Sequence, residues 1–267
     1  MTQFKNILFL FSVFLFLQQT VSANEELVEI KTPRGVTQKY LLLEPEAEPK
    51  AIVLLFAGGK GALNLGKGMF GNSIGWGKRN FLIRSRKQFA GQGFIVVTVD
   101  APSDKQGKNG MYYEFRTSDD HVQDIDTVIE TLKQNNELPV WLIGTSRGTE
   151  SAAYIGMNSR QKLAGIVLTS SMTEENGKGL AVTELPLSRV NIPVLITHHK
   201  DDGCKWTTPD GAGSIKNLLT SAPKVELKLF EGGYEQGKPC KAMSHHGYLG
   251  IENEVIKEIA DFIKSNS

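Results

Sequence analysis

One five-residue segment has the residue types and spacing of a serine nucleophile, the G-x-S-x-G pattern: Gly144, Thr145, Ser146, Arg147 and Gly148. It follows the apolar run 139–143 and precedes a helical pattern over residues 149–157. In so tight a turn between a strand and a helix, the central serine takes a strained backbone conformation that lifts its hydroxyl off the end of a sheet. The sequence therefore predicts Ser146 as a nucleophile, and an ordinary strand–helix loop is the alternative.

A serine hydroxyl needs a base to be nucleophilic at neutral pH, and the base needs a carboxylate to orient it. Among the five histidines, His246 falls between the last predicted strand and the last predicted helix, in a loop that reaches the same edge of the sheet as Ser146. His245 is the alternative base. The acid is expected in the loop after an earlier strand, where Asp202 is the candidate and Asp201 the alternative.

An ester-cleaving serine also needs two backbone N–H groups to hold the oxyanion of the tetrahedral intermediate. One is predicted to be that of Arg147, directly after the nucleophile. The other is expected from the glycine-rich loop after the predicted strand 51–56, where Gly59 is the candidate donor. A metal centre built on His198 and His199 is the alternative use of the remaining histidines, but a zinc site needs three or four ligands of compatible spacing. The sequence predicts no metal and no cofactor.

The first 23 residues have the pattern of a signal peptide. Lys5 supplies a positive charge, residues 7–17 are apolar apart from one serine, and residues 21–23 place small side chains at a cleavage site. The apolar run is shorter than the about 20 residues of a membrane-spanning helix. We therefore expect a mature protein that begins at Asn24, has no stable membrane anchor after cleavage, and is periplasmic or secreted.

Export changes the interpretation of the two cysteines. In an oxidising compartment an isolated pair is expected to form a disulfide, so Cys204 and Cys240 are predicted to be bonded, with two buried thiols as the alternative. Cys204 is two residues after Asp202, and Cys240 is six residues before His246. The bond would therefore tie the predicted acid loop to the predicted base loop.

Composition and pattern predict the fold. The chain of 267 residues is 40% hydrophobic and carries a net charge of +1, so bulk electrostatics give no support for a nucleic-acid partner. Strand-like and helix-like segments alternate over residues 24–267, which predicts one α/β domain with a mostly parallel central β-sheet flanked by helices on both faces. Strands are expected over residues 27–32, 38–43, 51–56, 94–99, 139–143, 163–169, 190–197 and 225–230, and helices over 81–90, 119–134, 149–157 and 251–263. Residues 58–77 and 172–188 fit no regular element and are predicted to form loops over the site.

Two further groups of residues are weaker candidates for substrate contacts. Aromatic and sulfur side chains in loop-like stretches are predicted either to line an apolar acyl pocket or to anchor loops on the core: Trp76, Met111, Tyr112, Tyr113 and Phe115. Arg84 and Arg116 are candidates to bind an acidic substrate group, and surface salt bridges are the alternative for both.

These motifs together resemble those of the α/β-hydrolase-fold serine hydrolases, in particular exported bacterial proteins of the dienelactone hydrolase and esterase branches. The resemblance spans residues 27–263 and implies Ser146 as nucleophile, Asp202 as acid and His246 as base, in the chain order of the family. The sequence departs from the family at two places. Dienelactone hydrolases have a cysteine at the position of Ser146, and the usual His-Gly of the oxyanion loop is Ala57-Gly58 here.

The leading hypothesis is an exported serine hydrolase that cleaves carboxylic esters through an acyl-enzyme, with a small-molecule ester or related acyl compound as substrate. A peptidase or amidase with the same triad is the first alternative. A non-catalytic binding protein with this fold is the second.

Overall fold

The computed structural model describes residues 25–69, 71–134 and 136–267. The predicted signal peptide, residues 1–23, lies outside the described residues. Ten strands are present in the described part of the chain: β1 (Glu25–Lys31), β2 (Thr37–Leu43), β3 (Ala51–Phe56), β4 (Leu65–Gly68), β5 (Gly71–Ile74), β6 (Phe94–Val99), β7 (Val140–Thr145), β8 (Gly165–Thr169), β9 (Val194–His199) and β10 (Val225–Phe230).

Eight of these strands form one sheet in the order β1-β2-β6-β3-β7-β8-β9-β10. The first two pairings, β1 with β2 and β2 with β6, are antiparallel, and all the others are parallel. The predicted mostly parallel sheet is confirmed. Because β3, β7, β9 and β10 run in the same direction, the loops that follow them meet at one edge of the sheet.

The six α-helices of the described residues are α1 (Phe81–Arg84), α2 (Arg86–Gly91), α3 (Asp119–Lys133), α4 (Gly148–Asn158), α5 (Pro209–Leu218) and α6 (Glu252–Ser265). One hydrophobic core packs α3, α4 and α5 on one face of the sheet, and a second packs α1, α2 and α6 on the other. The central strands are buried on both faces. In β3, for example, Ile52 and Leu54 belong to the first core, whereas Val53 and Leu55 belong to the second.

The structure differs from the sequence prediction in three elements. The predicted helix 81–90 is two short helices separated at Ser85, and nothing in the structure explains the break. The glycine-rich stretch 58–77 contains a small hairpin of β4 and β5. Helix α5 was not predicted, although Thr208 and Pro209 form a typical helix start, in which the threonine side chain accepts a hydrogen bond from the N–H of Gly211. Within the described residues, no helix has the length and apolar character to cross a membrane.

Candidate active site

The turn after β7 holds Ser146 in a strained conformation. Its φ is 52°, a left-handed value that costs an L-residue about 1–3 kcal/mol. Its N–H donates to the carbonyl oxygen of Thr169 at 3.0 Å, which ties the turn to the end of β8. The two glycines are required by close approach, since a Cβ on Gly148 would lie 2.0 Å from the oxygen of Phe56, and one on Gly144 would lie 2.3 Å from the oxygen of Gly148. The strained serine at a strand end is the geometry that the sequence pattern predicts.

Asp202 and His246 come together across the edge of the sheet. The Asp202 carboxylate is in the loop after β9, and His246 is in a single 3₁₀ turn between β10 and α6. His246 Nδ1 lies 2.9 Å from Asp202 Oδ2 and 3.1 Å from Thr207 Oγ1. Because a carboxylate only accepts hydrogen bonds, Nδ1 carries the proton. Nε2 of His246 is then left as the basic nitrogen.

The Asp202 carboxylate is buried, and both of its oxygens accept hydrogen bonds. Cys204 N–H donates to Oδ1 at 2.9 Å, and the Thr207 hydroxyl donates to Oδ2 at 3.0 Å. His198 Nε2, which donates to the carbonyl of Thr207, also lies 3.3 Å from Oδ2. Burial opposes ionisation of Asp202, but the hydrogen bonds from His198 and His246 outweigh it and hold the pKa of the carboxyl below its usual range. Asp202 is therefore ionised throughout the neutral pH range.

The two alternative residues lie outside this arrangement. The Asp201 side chain is 68% exposed, and the His245 ring stacks on His199 with 4.3 Å between ring centroids. Three possible metal ligands, His199, Asp201 and His245, have ligand atoms within 4.8 Å of one another. However, His199 Nδ1 accepts the N–H of Asp201 and His199 Nε2 donates to the carbonyl of Gly232. With both nitrogens of His199 engaged, this cluster does not fit a metal centre.

Ser146 and His246 line the same open cavity of about 690 Å³. Within the described residues, their side chains form no hydrogen bond with each other, and the one hydrogen-bond partner of Ser146 Oγ is the sulfur of Met172, at 4.0 Å. Catalytic hydrogen bonds are often long in the absence of substrate and shorten when it binds. The nucleophile and base candidates therefore share one cavity without a hydrogen bond between them.

One of the two predicted oxyanion donors lies at this cavity. Gly59 lines it, as Ser146 does, and Arg147 is the residue directly after Ser146, at the start of α4. In the described part of the chain, the backbone N–H groups of Gly59 and Arg147 donate to no protein acceptor.

Arg116 is hydrogen-bonded to the loop of Gly59, a role that sequence analysis missed. Its side chain is completely buried, and its guanidinium donates to the carbonyls of Ala57 at 2.9 Å and Gly59 at 3.2 Å, and to Ser151 Oγ at 2.7 Å. Burial lowers the pKa of Arg116 to about 10, so the group is still charged at neutral pH. Arg84, the other arginine considered for substrate binding, pairs with Glu252 at 2.8 Å. Neither arginine is free for a substrate group.

The five candidate pocket residues divide between the two predicted roles. Trp76 and Tyr112 line the cavity. Met111 and Phe115 are buried in a small hydrophobic cluster, and Tyr113 is 52% exposed. No local signal in the sequence separates the cavity-lining residues from the buried and exposed ones, because their positions depend on how the loops pack on one another.

Comparisons with known proteins agree with this fold. Residues 81–187 match the family model described as serine aminopeptidase, S33. An esterase from Pyrococcus furiosus superimposes with a TM-score of 0.63 at 16% identity, over 91% of this chain and 93% of the esterase. This protein has the α/β-hydrolase fold. A cold-adapted esterase from an Arctic intertidal metagenomic library superimposes with a TM-score of 0.62 at 14% identity, over 93% of this chain and 96% of the esterase. A dienelactone hydrolase from Anabaena variabilis superimposes with a TM-score of 0.61 at 15% identity, over 91% of this chain and 98% of the dienelactone hydrolase.

No curated protein is detectably similar to the chain in sequence. The predicted resemblance to α/β-hydrolase-fold proteins of the esterase and dienelactone hydrolase branches is confirmed at the level of the fold. The family-model match also supports the prediction of a serine hydrolase.

The hydrolase fold carries the predicted disulfide between Cys204 and Cys240. It joins the loop of Asp202 to the loop of His246, and Cys240 also lines the cavity. The bond closes a loop of 36 residues, for which the chain-entropy model gives about 4 kcal/mol of stabilisation. The disulfide therefore links the two loops that carry the acid and base candidates.

Removing this disulfide is expected to lower the free energy of unfolding. The double variant Cys204→Ser/Cys240→Ser should lose about 4 kcal/mol of unfolding free energy, measured by urea denaturation. Wild type treated with a reductant should match the variant, and the variant should not respond to reductant. A reduced wild type with an unchanged urea midpoint would contradict a stabilising role.

Arg147 and Glu150 form a buried charge pair at the start of α4, directly after the nucleophile in the chain. Glu150 in the first turn of α4 is completely buried, and its Oε1 accepts a hydrogen bond from the Arg147 side chain at 2.6 Å. Its Oε2 has no partner among the described residues. Burial raises the pKa of Glu150 to about 7, against the attraction of Arg147 and Arg116. This carboxyl therefore titrates near neutral pH.

The variant Glu150→Gln tests the raised pKa of Glu150 through the pH dependence of stability. Because the folded state holds the Glu150 proton more tightly than the unfolded state, wild type loses stability as pH rises from about 4.5 to about 7. Glutamine does not titrate, so the variant should gain stability relative to wild type over that range, by about 3 kcal/mol at most.

The measurement is urea unfolding of both proteins at pH 5 and pH 8. The matched control is Glu130→Gln, which makes the same change at an exposed position of α3. The quantity compared is the unfolding free energy of Glu150→Gln minus that of wild type, which should be more positive at pH 8 than at pH 5. If this difference is the same at both pH values, or less positive at pH 8, the pKa of Glu150 is not raised in the folded protein.

Proposed function

We propose that this protein is an exported serine hydrolase that cleaves carboxylic esters through an acyl-enzyme. The observation that carries the proposal is the contact of 2.9 Å between buried Asp202 and His246 Nδ1, at the cavity that the strained Ser146 lines. A neutral imidazole held by a carboxylate is the base that a serine nucleophile needs.

The reaction follows from these positions. His246 Nε2 takes the proton of Ser146 as Oγ attacks the ester carbonyl carbon, and the N–H groups of Gly59 and Arg147 hold the oxyanion. The imidazolium then gives its proton to the leaving alcohol, and the acyl group stays on Ser146. Water, deprotonated by the same nitrogen, attacks the acyl-enzyme and releases the acid. These steps need no metal and no cofactor.

We further propose that the protein acts in the periplasm or outside the cell, after removal of residues 1–23. The sequence pattern of that segment and the disulfide between Cys204 and Cys240 both fit an oxidising compartment. Mass spectrometry of the protein exported by a bacterial host tests this. A chain that begins at Asn24 supports the proposal, and a chain that retains the first 23 residues contradicts it.

The name of the matching family model favours a second candidate, cleavage of an amide by the same residues. Purified protein should therefore be offered matched pairs of substrates, such as p-nitrophenyl butyrate and butyryl p-nitroanilide, and alanine p-nitroanilide for aminopeptidase activity. Turnover of the ester alone supports the esterase, and comparable turnover of an amide supports the peptidase. No turnover, with no labelling by a fluorophosphonate probe in oxidised protein, would favour a non-catalytic binding protein.

A further inference from the structure

The cavity that Ser146 and His246 line has a concentration of positive charge. Three basic side chains border it, Lys78, Arg79 and Lys241, and among the described residues no aspartate or glutamate does. The whole chain has 30 basic and 29 acidic residues, so this excess is local. All three residues are exposed to solvent, which places their charges at the mouth.

These cations are not neutralised by nearby carboxylates. Lys78, Arg79 and Lys241 form no salt bridge within the described residues, whereas the nearby Arg84 and Arg86 each have a glutamate partner. The carboxylate of Glu235, on the same loop as Lys241, lies 3.6 Å from His245 instead.

The charges come from two loops that face the cavity. Lys78 and Arg79 belong to the segment between β5 and α1, and Lys241 belongs to the loop that leads to His246. The cavity is also lined by apolar and aromatic side chains: Trp76, Phe81, Tyr112 and Met243. A ligand that fills this cavity therefore meets an apolar surface beside the serine and positive charge at the opening.

We propose that the preferred substrate is an ester that carries a negatively charged group, which Lys78, Arg79 and Lys241 bind at the mouth of the cavity. This inference rests on the proposed function. A cleft lined by charges of one sign attracts ligands of the other sign and raises their association rate by about 10- to 1,000-fold at low salt. The guanidinium of Arg79 adds a planar pair of donors suited to a carboxylate or phosphate.

The test compares esters that differ only in charge. The p-nitrophenyl monoester of adipic acid is paired with its methyl ester, and 4-acetoxybenzoate with methyl 4-acetoxybenzoate, so that the charge is on the acyl side in one pair and on the alcohol side in the other. At low ionic strength, kcat/KM should be about tenfold higher for the anion of at least one pair. The preference should disappear at about 1 M salt, where the Debye length is about 3 Å.

Variants then locate the effect. In Lys78→Gln/Arg79→Gln/Lys241→Gln, the ratio of kcat/KM for anion to neutral ester should fall to about one. The control Lys87→Gln/Lys162→Gln/Lys216→Gln removes the same charge at exposed positions that do not line the cavity, and should keep the wild-type ratio. An anion preference that survives the first triple variant, or neutral esters cleaved as fast as anions by wild type, would overturn the inference. Failure to cleave any ester would instead overturn the proposed function.

Discussion

Ser146→Ala is expected to lower kcat for ester hydrolysis by about 10⁴- to 10⁶-fold. Alanine keeps the Cβ but removes the oxygen that forms the acyl-enzyme, so only binding and the oxyanion N–H groups remain to act on the ester. The measurement is turnover of p-nitrophenyl butyrate, together with labelling by a fluorophosphonate probe. Ser214→Ala, at an exposed position of α5, is the control and should keep full activity and labelling.

The variant Ser146→Gly separates the catalytic role from a structural one. Because φ at Ser146 is 52°, a residue without Cβ is less strained there. We expect Ser146→Gly to be as inactive as Ser146→Ala but about 1 kcal/mol more stable to urea. A serine whose removal leaves probe labelling unchanged would exclude Ser146 as the nucleophile.

Asp202→Asn is expected to lower kcat by about 10⁴-fold without preventing folding. An asparagine can present an N–H to His246 Nδ1, which would move the ring proton to Nε2, where the base must be free. The negative charge that stabilises the imidazolium is also lost. Because the pKa of Asp202 lies below its usual range, wild type keeps this charge at neutral pH, and the loss should appear across the whole neutral range.

The neighbouring residues supply matched controls for this prediction. Asp201→Asn changes an exposed carboxylate one residue away and should alter kcat by less than about twofold. His245→Gln should likewise leave most of the activity, whereas His246→Gln should remove it. Equal losses in Asp201→Asn and Asp202→Asn would show that the effect comes from distortion of the loop.

Local patterns were sufficient to predict the fold and most of the strands and helices. The strand β7, the glycines around Ser146 and helix α4 are adjacent in the chain, so their apolar runs and close contacts can be read from neighbouring residues. The alternation of buried strands with helices then leads to a parallel sheet, because parallel strands need crossover helices. Helix α5 was not predicted, although Thr208 and Pro209 form a local signal for a helix start.

The sequence alone determined a strained serine at a strand end, an α/β layout, and two cysteines placed to join two loops. Only the tertiary structure gives neighbours such as Asp201 and Asp202 different burial and partners, since adjacent residues on an irregular loop have the same local chemistry. It also decided that Arg116 supports the loop of Gly59 from the interior, and that three cations gather at one cavity. These features depend on contacts between residues far apart in the chain, and no local rule of spacing or propensity fixes them.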